Sequence, residues 1–215
     1  KPRFFFCILY LLLVLLSSVT SKKSNNYAII VNSSKFWFNY RQTANSLLIY
    51  HYLRDHGIPD SNILIMNPDN IACNCRNNDP GSVTAFDGKY EPNLIRKAET
   101  DFRKDDVSLP NILGALRSRF DPRTPLKKRL ILDENSKVLI YLNGHGGDNY
   151  WKIQDTLAIM HYDFAKAVEE LYSKKGYKEM LVMSDSCAAF TVFDLLDTPN
   201  LVMIGSSSQG EKSYS

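Results

Sequence analysis

Short, continuous apolar runs recur along the chain: Tyr27 to Val31, Ile63 to Met66, Val138 to Leu142, Met180 to Met183 and Leu201 to Ile204. Apolar positions in these runs are consecutive rather than alternating, which predicts strands of a parallel sheet, with Val138 to Leu142 buried on both faces. Between them the spacing becomes helical. Tyr40, Ala44, Leu47, Leu48 and Tyr52 lie on one helical face, and Gly57 before Ile58-Pro59 ends that helix. A second helix is predicted from Ser108 as N-cap, with Pro110 in its first turn and Leu109, Ile112, Leu113, Leu116 and Phe120 as its stripe. A third carries Met160, Phe164, Ala167, Val168 and Leu171 and ends near Lys174-Lys175-Gly176. Ala188 to Leu196 reads as a fourth helical segment, closed by Asp197-Thr198-Pro199. The pattern predicts an α/β domain with four or five parallel strands, right-handed crossovers and helices over the sheet.

Two stretches interrupt this alternation. Asn67 to Thr100 is rich in Asn, Asp, Pro and Gly and is too long for an ordinary connection, which marks it as a functional or partner-binding excursion. At the start, Lys1 and Arg3 precede an apolar run from Phe4 to Leu16, and small residues follow through Ser21. That order predicts a secretory signal peptide over residues 1–21, since the run is shorter than the roughly 20 residues of a membrane span. Residues 22–215 then form one domain. A formal charge of +3, with no long basic run, gives no reason to expect nucleic acid as a partner.

Beyond residue 21 there are three cysteines, Cys73, Cys75 and Cys187. In an oxidising compartment an odd number leaves at least one thiol free or paired with another chain. Only Asn74 separates Cys73 from Cys75, which disfavours a bridge between them, so either one is available to a partner subunit. Asn32-Ser33-Ser34 is formally a glycosylation acceptor, but its place at the end of a core strand argues against occupancy.

The candidate chemistry lies where two strands stop. Asn143-Gly144-His145-Gly146-Gly147-Asp148 follows Val138 to Leu142, and Ser184-Asp185-Ser186-Cys187-Ala188 follows Met180 to Met183. In a parallel α/β sheet the loops at the C-terminal strand ends converge on a ligand, so His145 and Cys187 are expected to face each other as base and thiol nucleophile. A thiol at a strand-to-helix turn is also expected to have its ionisation eased by helix amides. The Gly146 and Cys187 amides, one from each loop, are the candidate oxyanion donors. His51, His56 and His161 lack a comparable glycine setting. Asn39 lies at an equivalent strand-to-helix connection, either as a helix N-cap or as part of the site. There is no HExxH pair, no complete zinc-ligand spacing and no P-loop lysine. Glu99 and Asp101 alternate, with Asp60 also flanking the excursion, and such oxygen donors suit calcium; a solvated acidic face is the plainer reading. Water attacking an acyl-enzyme would make this a protease and a bound amine would make it a transamidase, which spacing alone does not separate.

Phe36-Trp37-Phe38-Asn39-Tyr40-Arg41, Gly57-Ile58-Pro59-Asp60, Ala72-Cys73-Asn74, Asn143-Gly144-His145-Gly146-Gly147, Gln154-Asp155 and Gly205-Ser206-Ser207 occur in the order found in one family. Across about residues 26–215 the chain closely resembles the catalytic subunits of glycosylphosphatidylinositol (GPI)-anchor transamidase, relatives of the legumain-type cysteine peptidases. The resemblance implies a caspase-like three-layer α/β fold, with a mostly parallel central sheet flanked by helices and a domain that continues past Ser215. It also implies an endoplasmic-reticulum enzyme, on the luminal face and membrane-associated, that cuts the C-terminal attachment signal from precursor proteins. The new carboxyl group passes through a thioester on Cys187 to the ethanolamine amine of a GPI glycolipid. A legumain-like endopeptidase and a noncatalytic subunit are the alternatives.

The resemblance carries Cys187 and His145 over as the dyad, with Asn39 orienting His145. Asp185, Ser206 and Ser207 stand as candidate substrate-binding residues. No cofactor is implied for catalysis, but a structural calcium ion is, on Asp60, Glu99, Asp101 and the Ile63 carbonyl. Cys73 matches the cysteine linked to a partner subunit of the multisubunit complex. Two positions depart from the family pattern: Asn143 replaces a Thr before Gly144, and Ala188 replaces a Gln after Cys187.

Overall fold

The computed structural model describes residues 24–85 and 93–214, so the segment read as a signal peptide and the Gly88 to Pro92 part of the long excursion lie outside the described residues. Its centre is a six-stranded parallel sheet. In chain order the strands are β1 (Asn26–Asn32), β2 (Ile63–Asn67), β3 (Phe102–Arg103), β4 (Lys137–Asn143), β8 (Glu179–Asp185) and β9 (Leu201–Gly205), arranged β3-β2-β1-β4-β8-β9. Between β4 and β8 a small antiparallel sheet of β5 (Gly146–Gly147), β6 (Tyr150–Ile153) and β7 (Leu157–Met160) stands over the main sheet. This is the α/β architecture expected of the caspase-like class. The extra strand, β3, pairs with the end of β2 through Met66↔Phe102 and Asn67↔Arg103.

Three α-helices accompany the sheet: α1 (Tyr40–Asp55), α2 (Leu109–Leu116) and α3 (His161–Ser173). The largest core packs α2, α3 and the small sheet against one face, with Ile29, Val31, Leu64, Ile140, Leu142 and Val182 meeting Ile112, Leu116, Trp151, Phe164 and Val168. Tyr50 and Leu53 of α1 cover Ala28, Ile30, Ile63, Ile65 and Tyr141 on the opposite face. Residues of β1, β2 and β4 thus point into apolar layers on both sides, which is why those runs carry no polar alternation, whereas the edge strand β9 exposes Val202 and Ile204 on one face. The excursion after β2 also has a core, since Ala72, Val83 and Leu94 pack against Ala44 and Leu47 of α1.

Two expectations for the helical segments change. The segment after Cys187 is a 3₁₀ turn over Ala189–Phe193, not an α-helix, because Ala188 takes left-handed torsions (φ 47°, ψ 34°) that an α-helix does not continue through. Helix α2 stops at Leu116 rather than Phe120, and Ser108 makes no side-chain cap. Asn32 is fully buried and its Nδ2 donates to Thr43 Oγ1 and Asn67 Oδ1, so the sequon there is sterically closed in the folded chain.

Candidate active site

Register brings the two loops together. β4 and β8 pair from Lys137↔Glu179 through Asn143↔Asp185, so His145 and Cys187 each stand two residues beyond the same register pair. The loops touch: the Gly144 amide donates to the Asp185 carbonyl at 3.1 Å. A Cβ at Gly146 would lie 2.9 Å from Ser186 Oγ and 3.1 Å from the Cys187 carbonyl, so only glycine permits this approach. His145 and Cys187 line one narrow cleft, with Arg41, Gln42, Asp185 and Ser213 among its other walls.

His145 is held in a defined tautomer. Its Nε2 is 2.9 Å from Asn39 Oδ1, and the Asn39 Nδ2 donates to the Lys35 carbonyl. That carbonyl can only accept, so the Asn39 oxygen must face the imidazole and Nε2 must carry the proton. Nδ1 is then the basic nitrogen. Burial lowers the His145 pKa below its ordinary value, opposed by nearby Asp155 and reinforced by Arg41 and Lys152. The ring is therefore neutral near pH 7. Asn39 itself is buried at the start of α1 and makes no capping hydrogen bond with its side chain. Phe36 supports this entry with φ 74° and ψ 154°, a strained conformation for a bulky residue, and its amide donates to Asp69 Oδ2 at 2.8 Å.

The Cys187 turn is braced on all sides. The Ser186 amide donates to Ser206 Oγ, the Ala188 amide to the Glu211 carbonyl and the Ala189 amide to Ser207 Oγ, while Ser207 Oγ donates to the Ser186 carbonyl at 2.8 Å. Of residues 186–189, the Cys187 amide is the one that makes no such bond among the described residues. Gly146 has a matching property. Since the Lys152 amide bonds the His145 carbonyl, Gly146 opposite Trp151 occupies a non-hydrogen-bonded ladder position and its amide points away from β6. The helix-amide effect expected at Cys187 is missing, because no α-helix begins there.

The remaining candidates divide. Ser207 is buried and committed to the Cys187 turn. Ser206 shares that task and also lines a second cavity with Asp185, Tyr141 and Tyr214. Asp185 accepts from Ser213 Oγ at 3.0 Å and, more distantly, from Asn45 and Tyr141 at 3.4 Å each. Gly210 through Ser213 carry no motif, and their position at the cleft depends on contacts with Asp148, Ala188 and Asp185, far away in the chain. Arg41 was visible within the aromatic motif but had no assigned role. Asn143 is accommodated by donating to the Gln42 carbonyl and Ser46 Oγ, and buried Ala188 does not line the cleft.

Among the described residues no three His, Cys, Asp or Glu side chains converge as a metal site. Asp60 accepts from the Tyr50 hydroxyl at 2.8 Å, and Glu99 pairs with Lys127 at 2.6 Å. Asp101, half-buried and bonded to the Ile65 amide, has its pKa pushed up to about 6 by burial and then by the like charges of Asp60 and Glu99. Cys73 and Cys75 are exposed free thiols, and Cys187 is half-buried. Among the described residues no helix is long and apolar enough to cross a membrane.

The His145 geometry has a direct readout. Its imidazole should titrate below the ordinary value of about 6.5 in an NMR pH series, and Asn39→Ala should remove the chemical-shift signature of a fixed Nε2–H tautomer. An ordinary or raised pKa in the folded chain would contradict the buried, neutral ring.

Similarity to known proteins agrees with this architecture. A Saccharomyces cerevisiae GPI-anchor transamidase is 42% identical over 191 residues, spanning 88% of this chain and 46% of that protein. The Homo sapiens GPI-anchor transamidase is 40% identical over 191 residues, with 88% of this chain and 48% of that protein covered. The Schizosaccharomyces pombe GPI-anchor transamidase is 40% identical over 189 residues, covering 88% and 50%. The chain spans about half the length of these curated relatives. The Peptidase C13 family model matches residues 26–215, the same stretch that holds the sheet, the paired loops and the cleft, and the chain belongs to the Peptidase C13 family.

Proposed function

We propose that this chain carries the catalytic machinery of a GPI-anchor transamidase. The observation that carries the reading is the in-register end of β4 and β8, which sets His145 and Cys187 in one cleft with Asn39 on the far side of the imidazole. Family membership and the names of the relatives supply the reaction class. A precursor's attachment-signal peptide bond enters the cleft. The Cys187 thiol gives its proton to His145 Nδ1 as sulfur attacks the scissile carbonyl. Negative charge on the carbonyl oxygen is met by the Gly146 and Cys187 amides. His145 returns the proton to the departing amine, leaving a thioester on Cys187.

The ethanolamine amine of the glycolipid then attacks that thioester. His145 takes the amine's proton, the C–S bond breaks, and the proton returns to the Cys187 thiolate as the amide forms. Asn39 keeps Nε2–H bound throughout, so Nδ1 remains the nitrogen that exchanges protons. Asp185, at the junction of the catalytic cleft and the second cavity, is assigned to substrate recognition, with Ser206 and Ser207 supporting the turn beside it. The setting of this reaction is the luminal face of the endoplasmic reticulum, within a multisubunit complex. That placement is supported by the signal-like residues 1–21 and by the relatives' activity.

The exposed Cys73 thiol is assigned to a disulfide with a partner subunit. A structural calcium ion is assigned to Asp60, Glu99, Asp101 and the Ile63 carbonyl, which do not converge without it; the Asp101 carboxyl, pushed up by burial and then by the like charges of Asp60 and Glu99, would be held ionised by a divalent cation. Glu99 would have to leave Lys127 to join it.

Four experiments test the reading. In the full-length protein within its complex, Cys187→Ala and His145→Ala should each abolish anchor attachment while the complex still assembles; retained attachment in both would point to a noncatalytic subunit. A small nucleophilic amine added to a precursor-cleavage assay should appear in the product, whereas free acid alone would indicate a legumain-like hydrolase. On non-reducing gels Cys73→Ser should lose a linked partner band that Cys75→Ser retains, and a band kept by Cys73→Ser would refute that link. For calcium, the folded state binds the Asp101 proton more tightly than the unfolded state, so stability falls as pH rises from about 4 to about 6. With chelator above pH 7, Asp101→Asn should therefore be more stable by about 1–3 kcal/mol, with no gain near pH 4. Added calcium should raise the wild-type Tm alone; equal shifts in both proteins would exclude this site.

A further inference from the structure

One buried hydroxyl connects the two loops of the site. Thr191 lies in the 3₁₀ turn after Cys187 and is 3% exposed. Its Oγ1 accepts the Asn149 amide at 2.8 Å and donates to the Ala188 carbonyl at 2.7 Å. A hydroxyl has a single proton, and the Gly147 carbonyl, at 3.5 Å, is the poorer acceptor for it. The result is a short relay from the Asn149 N–H through Thr191 to the Ala188 C=O.

The two ends of the relay are significant. Ala188 directly follows Cys187, and Asn149 makes the tight turn of the β5–β6 hairpin that carries His145. Both are non-glycine residues in left-handed backbone conformations, φ 47° and φ 68°. Such torsions are unfavourable for a residue with a Cβ, less so for Asn than for Ala, unless neighbouring contacts hold them. Thr191 satisfies one backbone group of each. The hairpin is itself stiff, because the Lys152 amide holds the His145 carbonyl at 2.8 Å and the His161 amide holds the Asn149 carbonyl at 2.9 Å. Fixing Asn149 therefore fixes the loop that bears His145. Thr191 is in turn anchored by its neighbours Val192 and Phe193, both buried in the main core, with Phe193 packed 6.2 Å from Phe164 of α3. A β-branched side chain in such a setting has little χ1 freedom.

We infer that Thr191 is a positioning residue, whose hydroxyl sets the distance between His145 and Cys187 by pinning one left-handed residue in each of their loops. It touches neither the reacting atoms nor the cleft wall. This rests on the reading of His145 and Cys187 as the reacting pair. Without the hydroxyl, a valine of the same shape fills the space but leaves the Asn149 N–H unpaired, while the Ala188 C=O keeps only the backbone amide of residue 191 at 3.0 Å, so the side-chain link between the two loops is lost and they are free to separate by fractions of an ångström.

The test uses the full-length protein in its complex and compares Thr191→Val, Thr191→Ala and Thr191→Ser with wild type. Three quantities are measured: transamidation kcat and KM, the pH dependence of Cys187 alkylation by iodoacetamide followed on its own peptide, and Tm. Thr191→Val should lose about 10- to 100-fold in kcat, the scale of a small misplacement of reacting groups. KM should stay within about twofold, the alkylation profile should lose its dependence on a neighbouring base, and Thr191→Ser should restore both. The inference fails if Thr191→Val keeps wild-type kcat, if Ser fails to rescue, or if kcat falls only with Tm while the alkylation profile stays unchanged. Should the valine variant not fold, the Ala and Ser pair decides by the same criteria. Cys187→Ala separates the two levels. If it remains active, the catalytic reading fails, and if it is inactive while Thr191→Val is fully active, only the positioning role fails.

Discussion

The parallel pairing of β4 with β8 is the constraint on which the rest of the molecule depends. Seven consecutive register pairs end at Asn143↔Asp185, and His145 and Cys187 each follow two residues later at the same end of the sheet. A slip of one residue would swap the side chains of the slipped strand between the two differently packed faces of the sheet, so the apolar layers that stabilise the sheet also enforce the spacing of the proposed reactive pair. Stability and chemistry are coupled here through packing. Trp151 and Ile153 of the small sheet belong to the same core as Ile140 and Val182, so the hairpin above the cleft is tied to the strands below it.

Around that alignment, backbone polar groups are satisfied by side chains more than by regular structure. Asn39 joins α1 to the imidazole, Ser207 joins the end of β9 to the Cys187 turn, and Gln154 reaches from the β6–β7 turn to the Lys104 and Val107 carbonyls while its own amide bonds the Ser33 carbonyl. Each of these groups is held by a partner far away in sequence. The site thus borrows rigidity from four separate strand ends, which suits a cleft that must keep a thiol and an imidazole aligned.

Most of the fold was legible in the sequence, since five continuous apolar runs and three helical stripes mark where strands and helices fall. What escaped was short or strained. Two residues, Phe102 and Arg103, are too few for a period to be visible, and the left-handed Ala188 breaks a helix that composition alone favours. In the site, His145 and Cys187 were legible because glycines and strand ends frame them. The contact of Asn39 was implied by a family resemblance, whereas its alternative role as a cap is local and equally compatible with the sequence. Thr191, Ser207 and the 210–214 segment left no signal, because a hydroxyl or carbonyl acquires its partner only when distant strands have paired.

The segment from Gly210 to Ser213 gives the molecule an order in time. The Gly210 amide meets Asp148, the Glu211 carbonyl takes the Ala188 amide, and Ser213 bonds Asp185. It touches the His loop and the Cys loop although it follows both in the chain. During synthesis both loops emerge before this brace. A nascent chain therefore holds its thiol in an unbraced cleft until the 210–213 segment has been made.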